Sequence, residues 1–344
     1  MKRFSVVLAL ALLAALVPAA AQAHSGQTGG TDYRSAITST PSGITARIVG
    51  GDDRIEITRT TASQVMIPGY GGEPYLRLDE QGTWENRNSP AVALNDVRQT
   101  SEALPTSATK IGPDWVQLSS GNSVVYHDHR AHWMGTLPPA DVRADPGPER
   151  VLYDWDIPLF VDGTAVEIRG DLTWLGMPLT WLWWTITVLA VIAGAAVGSL
   201  RRIPVAPAAI VGMLAAVLAS VITSVSKQLD VPDGQTGVLI AIVLAVVLLA
   251  VGLGLGHRLR AVPAHATTVL LLIALVAGGV QLVALAGTAF SYALVPGPLP
   301  TLLTRVFLII GLAGVALAAA ACVRAWRTLL ADLPPQQMTK EPAW

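Results

Sequence analysis

Hydrophobic residues follow different patterns in the two halves of the chain. Up to about Thr173, short stretches alternate polar and apolar positions and carry most of the charge, whereas Ala, Val, Leu, Ile and Gly dominate the remainder in long runs. The whole chain of 344 residues is 52% hydrophobic and only 14% charged, with a mean hydropathy of +0.50. These values exclude an ordinary soluble protein, and they predict a polar domain followed by a membrane domain.

The alternation in the polar half has the period of two expected of half-buried strands. It is clearest in Ile44–Val49 and in residues 54–58, which flank Gly50-Gly51-Asp52-Asp53 and so predict a hairpin. Val124 to His129 is predicted as a later strand, and residues 151–159 and 165–170 as two more around an Asp-Gly turn. About seven short strands without a helical period predict a β-sandwich of the immunoglobulin or cupredoxin type.

The second half contains five apolar runs, each long enough to cross a bilayer core. The predicted spans are residues 179–200, 206–225, 236–256, 267–286 and 299–323. With five helices, the basic residues that follow the first, third and fifth spans all fall on one side, which the positive-inside rule makes cytoplasmic. The spans contain almost no ionisable side chains, which argues against an ion-coupled transport pathway through the bundle.

The N-terminus has the three parts of a secretory signal. Lys2 and Arg3 precede a short apolar run, and Ala21-Gln22-Ala23 forms a cleavage site. The predicted organisation is therefore a signal peptide at 1–23, an extracytoplasmic β-sandwich at 24–175, a five-helix transmembrane domain at 176–325 and a cytoplasmic tail at 326–344. Cleavage at this site makes His24 the first residue of the mature protein.

Three of the six histidines lie within nine residues, from Tyr126 to Met134. If the strand continues to His129, then His127 and His129 point to the same face, because alternate residues of a strand share a face. Both imidazoles can then bind one ion, with His132 as a further ligand or a supporting group. His24 adds an imidazole and an α-amine, and such an all-nitrogen set favours copper among the divalent ions. The predicted metal ligands are His24, His127, His129 and His132.

Several other kinds of chemistry find no support in the sequence. The only cysteine, Cys322, lies at the end of the last apolar run, so the exported part has no thiol for a metal site or a nucleophile. No HExxH, GxSxG or phosphate-binding glycine motif occurs. The net charge of −1 and the absence of a basic aromatic stripe exclude nucleic acid as an expected partner.

Two segments carry a resemblance to known proteins. Gly69–Leu76 and His127–Met134 resemble the GYxGEPYL and HDHRxHWM segments of a group of exported actinobacterial multi-helix membrane proteins, which implies the same architecture. The exported histidine followed by His-x-His resembles the copper domains of CopC-type periplasmic proteins and of the copper subunit of particulate methane monooxygenase. That resemblance implies copper ligation by His24, His127 and His129.

The sequence therefore gives two main functional hypotheses. The first is a membrane-anchored extracytoplasmic protein that binds or delivers copper at the cell surface without catalysis, with the lipid bilayer as its surroundings. The alternative is a non-catalytic envelope scaffold, in which the HDHRxHWM strand is structural and the partner is another membrane or envelope protein. A copper monooxygenase subunit is the third interpretation.

Overall fold

The chain forms a β-rich unit and a helical unit. The structure is a computed structural model, and it describes residues 30–98, 104, 111–230 and 264–331. Residues 30–178 and Ser291–Pro296 belong to the β-rich unit, and the other described residues belong to the helical unit. The predicted order of an antiparallel β-domain followed by apolar helices is confirmed.

The described part of the β-rich unit contains two antiparallel sheets. One sheet has seven strands in the order β1-β10-β9-β4-β5-β6-β7, and the other has three in the order β2-β3-β8. The strands are β1 Tyr33–Ser39, β2 Ile44–Val49, β3 Arg54–Arg59, β4 Val65–Pro68, β5 Pro74–Asp79, β6 Gly82–Asn86, β7 Trp115–Ser119, β8 Ser123–Tyr126, β9 Arg150–Val161 and β10 Thr164–Trp174.

The alternating side chains of both sheets meet in one apolar core. Ile55 and Ile57 of β3 are fully buried there, together with Leu76 of β5 and Ile157 of β9. Since side chains alternate between the faces of a strand, this shared core is the reason for the period of two in the sequence. The two sheets share one core, as in a sandwich, whereas the immunoglobulin or cupredoxin type remains a prediction.

Two predicted hairpins are confirmed with small shifts in their ends. β2 pairs with β3 from Ile44 opposite Arg59 to Val49 opposite Arg54, around the Gly50-Gly51 turn. β9 pairs with β10 around Asp162 and Gly163, which both have positive φ, at 48° and 81°. Two residues with positive φ match the turn that joins twisted strands tightly.

Two short helices interrupt the strands of this unit. Helix α1 is Pro90–Asn95, and helix α2 is Ala140–Ala144. Ser89 caps α1, because its side chain accepts a hydrogen bond from the backbone N–H of Ala91, and Pro90 occupies the first turn. Serine before proline is a usual start of a helix.

The described part of the helical unit has four long helices: α3 Thr180–Ser199, α4 Val205–Leu229, α5 Ala264–Ser291 and α6 Thr301–Ala331. Three described segments are long and apolar enough to cross a membrane, namely Thr180–Ser199, Val205–Lys227 and Thr301–Thr328. Within α5, the apolar stretch among the residues whose side chains are described is Gly278–Ser291. The predicted span at 236–256 lies outside the described residues.

Glycines allow the helices of this unit to approach closely. An added Cβ at Gly194 of α3 would collide with the carbonyl of Ala313, and one at Gly212 of α4 with the carbonyl of Gly314. Close contact between small residues is how helices associate where the hydrophobic effect between them is weak. Arg305 is buried at the start of α6, where its Nε donates to the carbonyl of Ala289 at 2.9 Å.

The segment Ser291–Pro296 pairs with the beginning of the β-rich unit. Thr31 and Leu294 exchange both backbone hydrogen bonds, at 3.0 and 2.9 Å. The backbone N–H of Ala293 also donates to the Asp32 carboxylate at 2.7 Å. These contacts hold Thr31 and Asp32, the two residues that lead into β1.

Candidate metal centre

The histidine-rich segment is a turn. Strand β8 ends at Tyr126. The Asp128 carboxylate accepts a hydrogen bond from the backbone N–H of Arg130 at 3.1 Å. The backbone carbonyl of Asp128 accepts one from the N–H of Ala131 at 2.9 Å. Aspartate commonly closes turns in this way, by binding the backbone two residues on. The prediction of a strand through His129 is therefore wrong, and alternation does not bring His127 and His129 together.

Asp128 and Arg130 form a buried ion pair beneath the turn. Arg130 donates from Nε to Oδ1 at 2.8 Å and from a terminal nitrogen to Oδ2 at 2.6 Å, and the Tyr126 hydroxyl donates to Oδ2 at 3.2 Å. The Arg130 guanidinium also lies over the ring of Tyr70. Burial by itself would raise the pKa of Asp128, but the guanidinium and its hydrogen bonds outweigh burial and lower that pKa. Asp128 is thus held as a carboxylate.

His127 is the most accessible of the three imidazoles, with 20% of its side chain exposed. Its Nδ1 donates to the backbone carbonyl of Asp53 at 2.7 Å. Since a carbonyl only accepts, this bond places the proton on Nδ1 and leaves the lone pair on Nε2. Burial lowers the pKa of His127, although the nearby Asp53 opposes that shift.

His129 is almost fully buried, with 3% exposed, and is held at two points. Its Nε2 donates to the backbone carbonyl of Leu94 at 2.8 Å, and its backbone N–H donates to the Tyr70 hydroxyl at 3.0 Å. The lone pair therefore lies on Nδ1. This buried nitrogen has no hydrogen-bond partner among the described residues.

His132 is the most deeply buried histidine of the cluster, with 1% exposed. Its Nδ1 donates to the carbonyl of Trp133 at 3.2 Å, and its own carbonyl accepts from the Tyr153 hydroxyl at 2.8 Å. Its buried Nε2, like Nδ1 of His129, lacks a hydrogen-bond partner within the described part of the chain. Burial lowers the pKa of His132 to about 3, so the ring is neutral at physiological pH.

The His132 ring lies near both of the other rings. Its ring centroid is 4.9 Å from that of His129 and 6.3 Å from that of His127. With metal–nitrogen bonds of about 2 Å, the centroids of two imidazoles on one ion lie no more than about 6 Å apart. The separation of His129 and His132 fits one ion, whereas His127 lies at the limit.

In each of the three rings, one N–H donates to a backbone carbonyl and the other nitrogen carries a lone pair. This arrangement fixes the tautomer and is typical of histidines that ligate metals. However, no group of three or more His, Cys, Asp or Glu side chains in the described ranges is arranged to hold a metal ion. The fourth predicted ligand, His24, lies outside the described residues.

A chain of polar contacts links Thr31 to His127. The Thr31 hydroxyl donates to Asp52, and Arg98 joins Asp52 to Asp53 by ion pairs of 2.7 and 2.9 Å. Asp53 in turn accepts the hydrogen bond from His127. His24 precedes Thr31 by seven residues, which can span up to about 23 Å.

Sequence reasoning missed the residues that surround His129. Helix α1 supplies the Leu94 carbonyl, and Asn95 accepts a hydrogen bond from the Tyr70 hydroxyl. Ser89 before Pro90 was the available signal for a helix at this place. No pattern could have shown that its last turn meets His129.

Comparison of the chain with protein-family models, curated proteins and solved structures gave no match. Both resemblances drawn from the sequence therefore remain predictions.

Proposed function

We propose that this protein is a membrane-anchored, extracytoplasmic copper-binding protein that handles or delivers copper at the cell surface. The observation that carries the proposal is the pair of buried, unpartnered ring nitrogens, Nδ1 of His129 and Nε2 of His132. Buried polar atoms nearly always have a hydrogen-bond or metal partner. Two unpartnered nitrogens on neighbouring rings therefore favour a ligand that both can bind. A metal ion satisfies both lone pairs at once.

Copper suits this site better than other biological metals. Burial keeps the His132 imidazole neutral, and neutral imidazole is the form that ligates. Among divalent ions, copper binds nitrogen donors most tightly. His129 and His132 form the centre of the proposed site, His127 supplies a more accessible nitrogen at its edge, and the imidazole and amine of His24 complete an all-nitrogen set.

The same proposal includes a topology of five spans, with the β-domain outside and the tail in the cytoplasm. Ser226 near the end of α4 accepts a hydrogen bond from Leu299, just before α6, so these two helix ends are adjacent. Arg305 likewise joins the start of α6 to the end of α5. The start of α5 lies 28 residues away from that shared end, which supports a single membrane crossing between α4 and α5 as part of this proposal. The predicted span at 236–256 supplies one.

Metal titration of the processed full-length protein tests the proposal. We expect one copper per chain, measured by elemental analysis after gel filtration in detergent. His129→Ala with His132→Ala should abolish stoichiometric binding, while His257→Ala, in a predicted cytoplasmic loop, should leave it unchanged. Equal copper content in all three proteins would exclude the histidine cluster as the site.

The scaffold hypothesis is the second candidate, and the Asp128–Arg130 pair favours it. The turn is held by hydrogen bonds from Tyr126, Arg130 and Ala131, so it has a structural role with or without a metal. In that case the partner is another membrane or envelope protein. Full stability and folding without any copper binding would support this hypothesis over the first.

A further inference from the structure

The glycine-rich turn before β5 encloses a buried carboxylate. Glu73 is 1% exposed, and it accepts hydrogen bonds from the Ser89 hydroxyl at 2.7 Å and from the backbone N–H of Gly71 at 3.1 Å. A Cβ at position 69 would collide with this carboxylate, so any other residue there would displace Glu73 from its present position. The Gly69–Leu76 segment thus has a defined internal partner, which is the serine at the start of α1.

Ser89 links that carboxylate to helix α1. Its hydroxyl proton is donated to Glu73, which leaves its oxygen lone pairs free to accept from the N–H of Ala91 at 3.2 Å. A helix of six residues is too short to be stable alone and depends on its caps and contacts. Glu73 and Ser89 therefore hold the first turn of α1.

The other end of α1 holds His129. The Leu94 carbonyl accepts from His129 Nε2 at 2.8 Å, and Asn95 accepts from the Tyr70 hydroxyl. Tyr70 belongs to the same glycine-rich turn, and its hydroxyl oxygen accepts a hydrogen bond from the backbone N–H of His129. Helix α1 thus binds the ring of His129, and the glycine-rich turn binds its backbone.

We propose that Glu73 and Ser89 are positioning residues for His129. By fixing α1, they present the Leu94 carbonyl to Nε2, keep the proton on that nitrogen and direct Nδ1 toward His132. The metal-binding part of this inference rests on the proposed function. The tautomer of His129 does not, because it exists in the metal-free protein.

Nitrogen NMR of ring-labelled histidine in the full-length protein in detergent measures that tautomer directly. We expect metal-free wild type to have His129 protonated on Nε2, with the signals assigned by His129→Gln. Ser89→Ala should add the Nδ1-protonated form and weaken Cu(II) binding by up to about 10- to 100-fold, the effect of losing the hydrogen-bond partner of a metal ligand, which here is the Leu94 carbonyl. Ser89→Thr, which keeps the hydroxyl, should restore both readouts.

Ser120→Ala, an exposed serine before β8, is the matched control and should change neither readout. Glu73→Gln keeps the shape of the side chain and gives a second test if Ser89→Ala does not fold; it should shift the tautomer in the same direction by a smaller amount. Wild-type His129 protonated on Nδ1, or an unchanged tautomer in the folded variants, would overturn the inference. A tautomer that responds in a protein that binds no copper would leave the positioning role intact and contradict the proposed function.

Discussion

His129 and His132 lie with their ring centroids 4.9 Å apart, and each leaves one buried nitrogen without a hydrogen-bond partner in the described part of the chain. Their other nitrogens donate to the carbonyls of Leu94 and Trp133. Hydrogen bonds to the backbone thus set the tautomers of both rings. Since histidine is the common nitrogen ligand for copper, zinc and nickel, this pair is the centre of the proposed metal site.

The buried ion pair beneath the turn should contribute strongly to stability. In Arg130→Met, Asp128 would be left buried and unpaired, and we expect a loss of about 3–5 kcal/mol in the free energy of unfolding. Denaturant unfolding followed by tryptophan fluorescence measures this. Arg169→Met, which breaks the exposed Arg169–Glu167 pair, should change stability by less than about 1 kcal/mol. Equal effects of the two substitutions would contradict the assignment of Asp128–Arg130 as the structural pair.

The histidine cluster should make the protein less stable in acid. His132 has a pKa of about 3 in the folded state, against an ordinary value of 6.5. Between these values the unfolded chain binds a proton that the folded chain does not, so stability falls as pH drops from 6.5 toward 3. His127, whose pKa is also lowered, acts in the same direction.

Replacing His132 with glutamine removes that titration. We expect the variant's stability to depend less steeply on pH in this window, by up to about 1.4 kcal/mol per pH unit. Unfolding measured across the window gives the slopes, and His257→Gln serves as the control. Parallel curves for wild type and His132→Gln would show that His132 is not buried as a neutral ring.

The sequence predicts those parts of the fold and the site that depend on residues close together in the chain. The hairpin of β2 and β3 was predictable because alternation and a glycine turn are local signals. The Val-Val-Tyr stretch correctly predicted β8, but Asp128 ends it by binding the backbone of Arg130. Composition cannot distinguish that turn from two further strand residues. The contact of His129 with Leu94 joins positions 35 residues apart, so only the fold could show it.

The pairing of Thr31 with Leu294 can be tested by an engineered disulfide. The two residues exchange both backbone hydrogen bonds, a geometry with Cα atoms about 5.5 Å apart that suits a disulfide. In a Cys322→Ala background, Thr31→Cys with Leu294→Cys should crosslink under mild oxidation, as mass spectrometry of the joined peptides would show. The pair Ser39→Cys with Leu294→Cys, at the other end of β1, should not. Crosslinking of both pairs or of neither would contradict this contact.

The proposed topology predicts which positions a membrane-impermeant maleimide can reach on intact cells. In the Cys322→Ala background, Ser120→Cys in the β-domain should be labelled, whereas Arg202→Cys between α3 and α4 should be labelled only after lysis. The physical basis is the set of basic residues that follow the first, third and fifth predicted spans. Labelling of Arg202→Cys on intact cells would reverse the orientation.

The electron paramagnetic resonance spectrum of the processed full-length protein with one equivalent of Cu(II) tests copper binding most directly. We predict a single species with hyperfine structure from several nitrogens, an N-terminal His24 confirmed by mass spectrometry, and the loss of nitrogen couplings in His132→Ala. A spectrum of loosely held, oxygen-coordinated copper would contradict copper binding by the histidine cluster. So would a nitrogen-coordinated spectrum that is unchanged from wild type in both His129→Ala and His132→Ala.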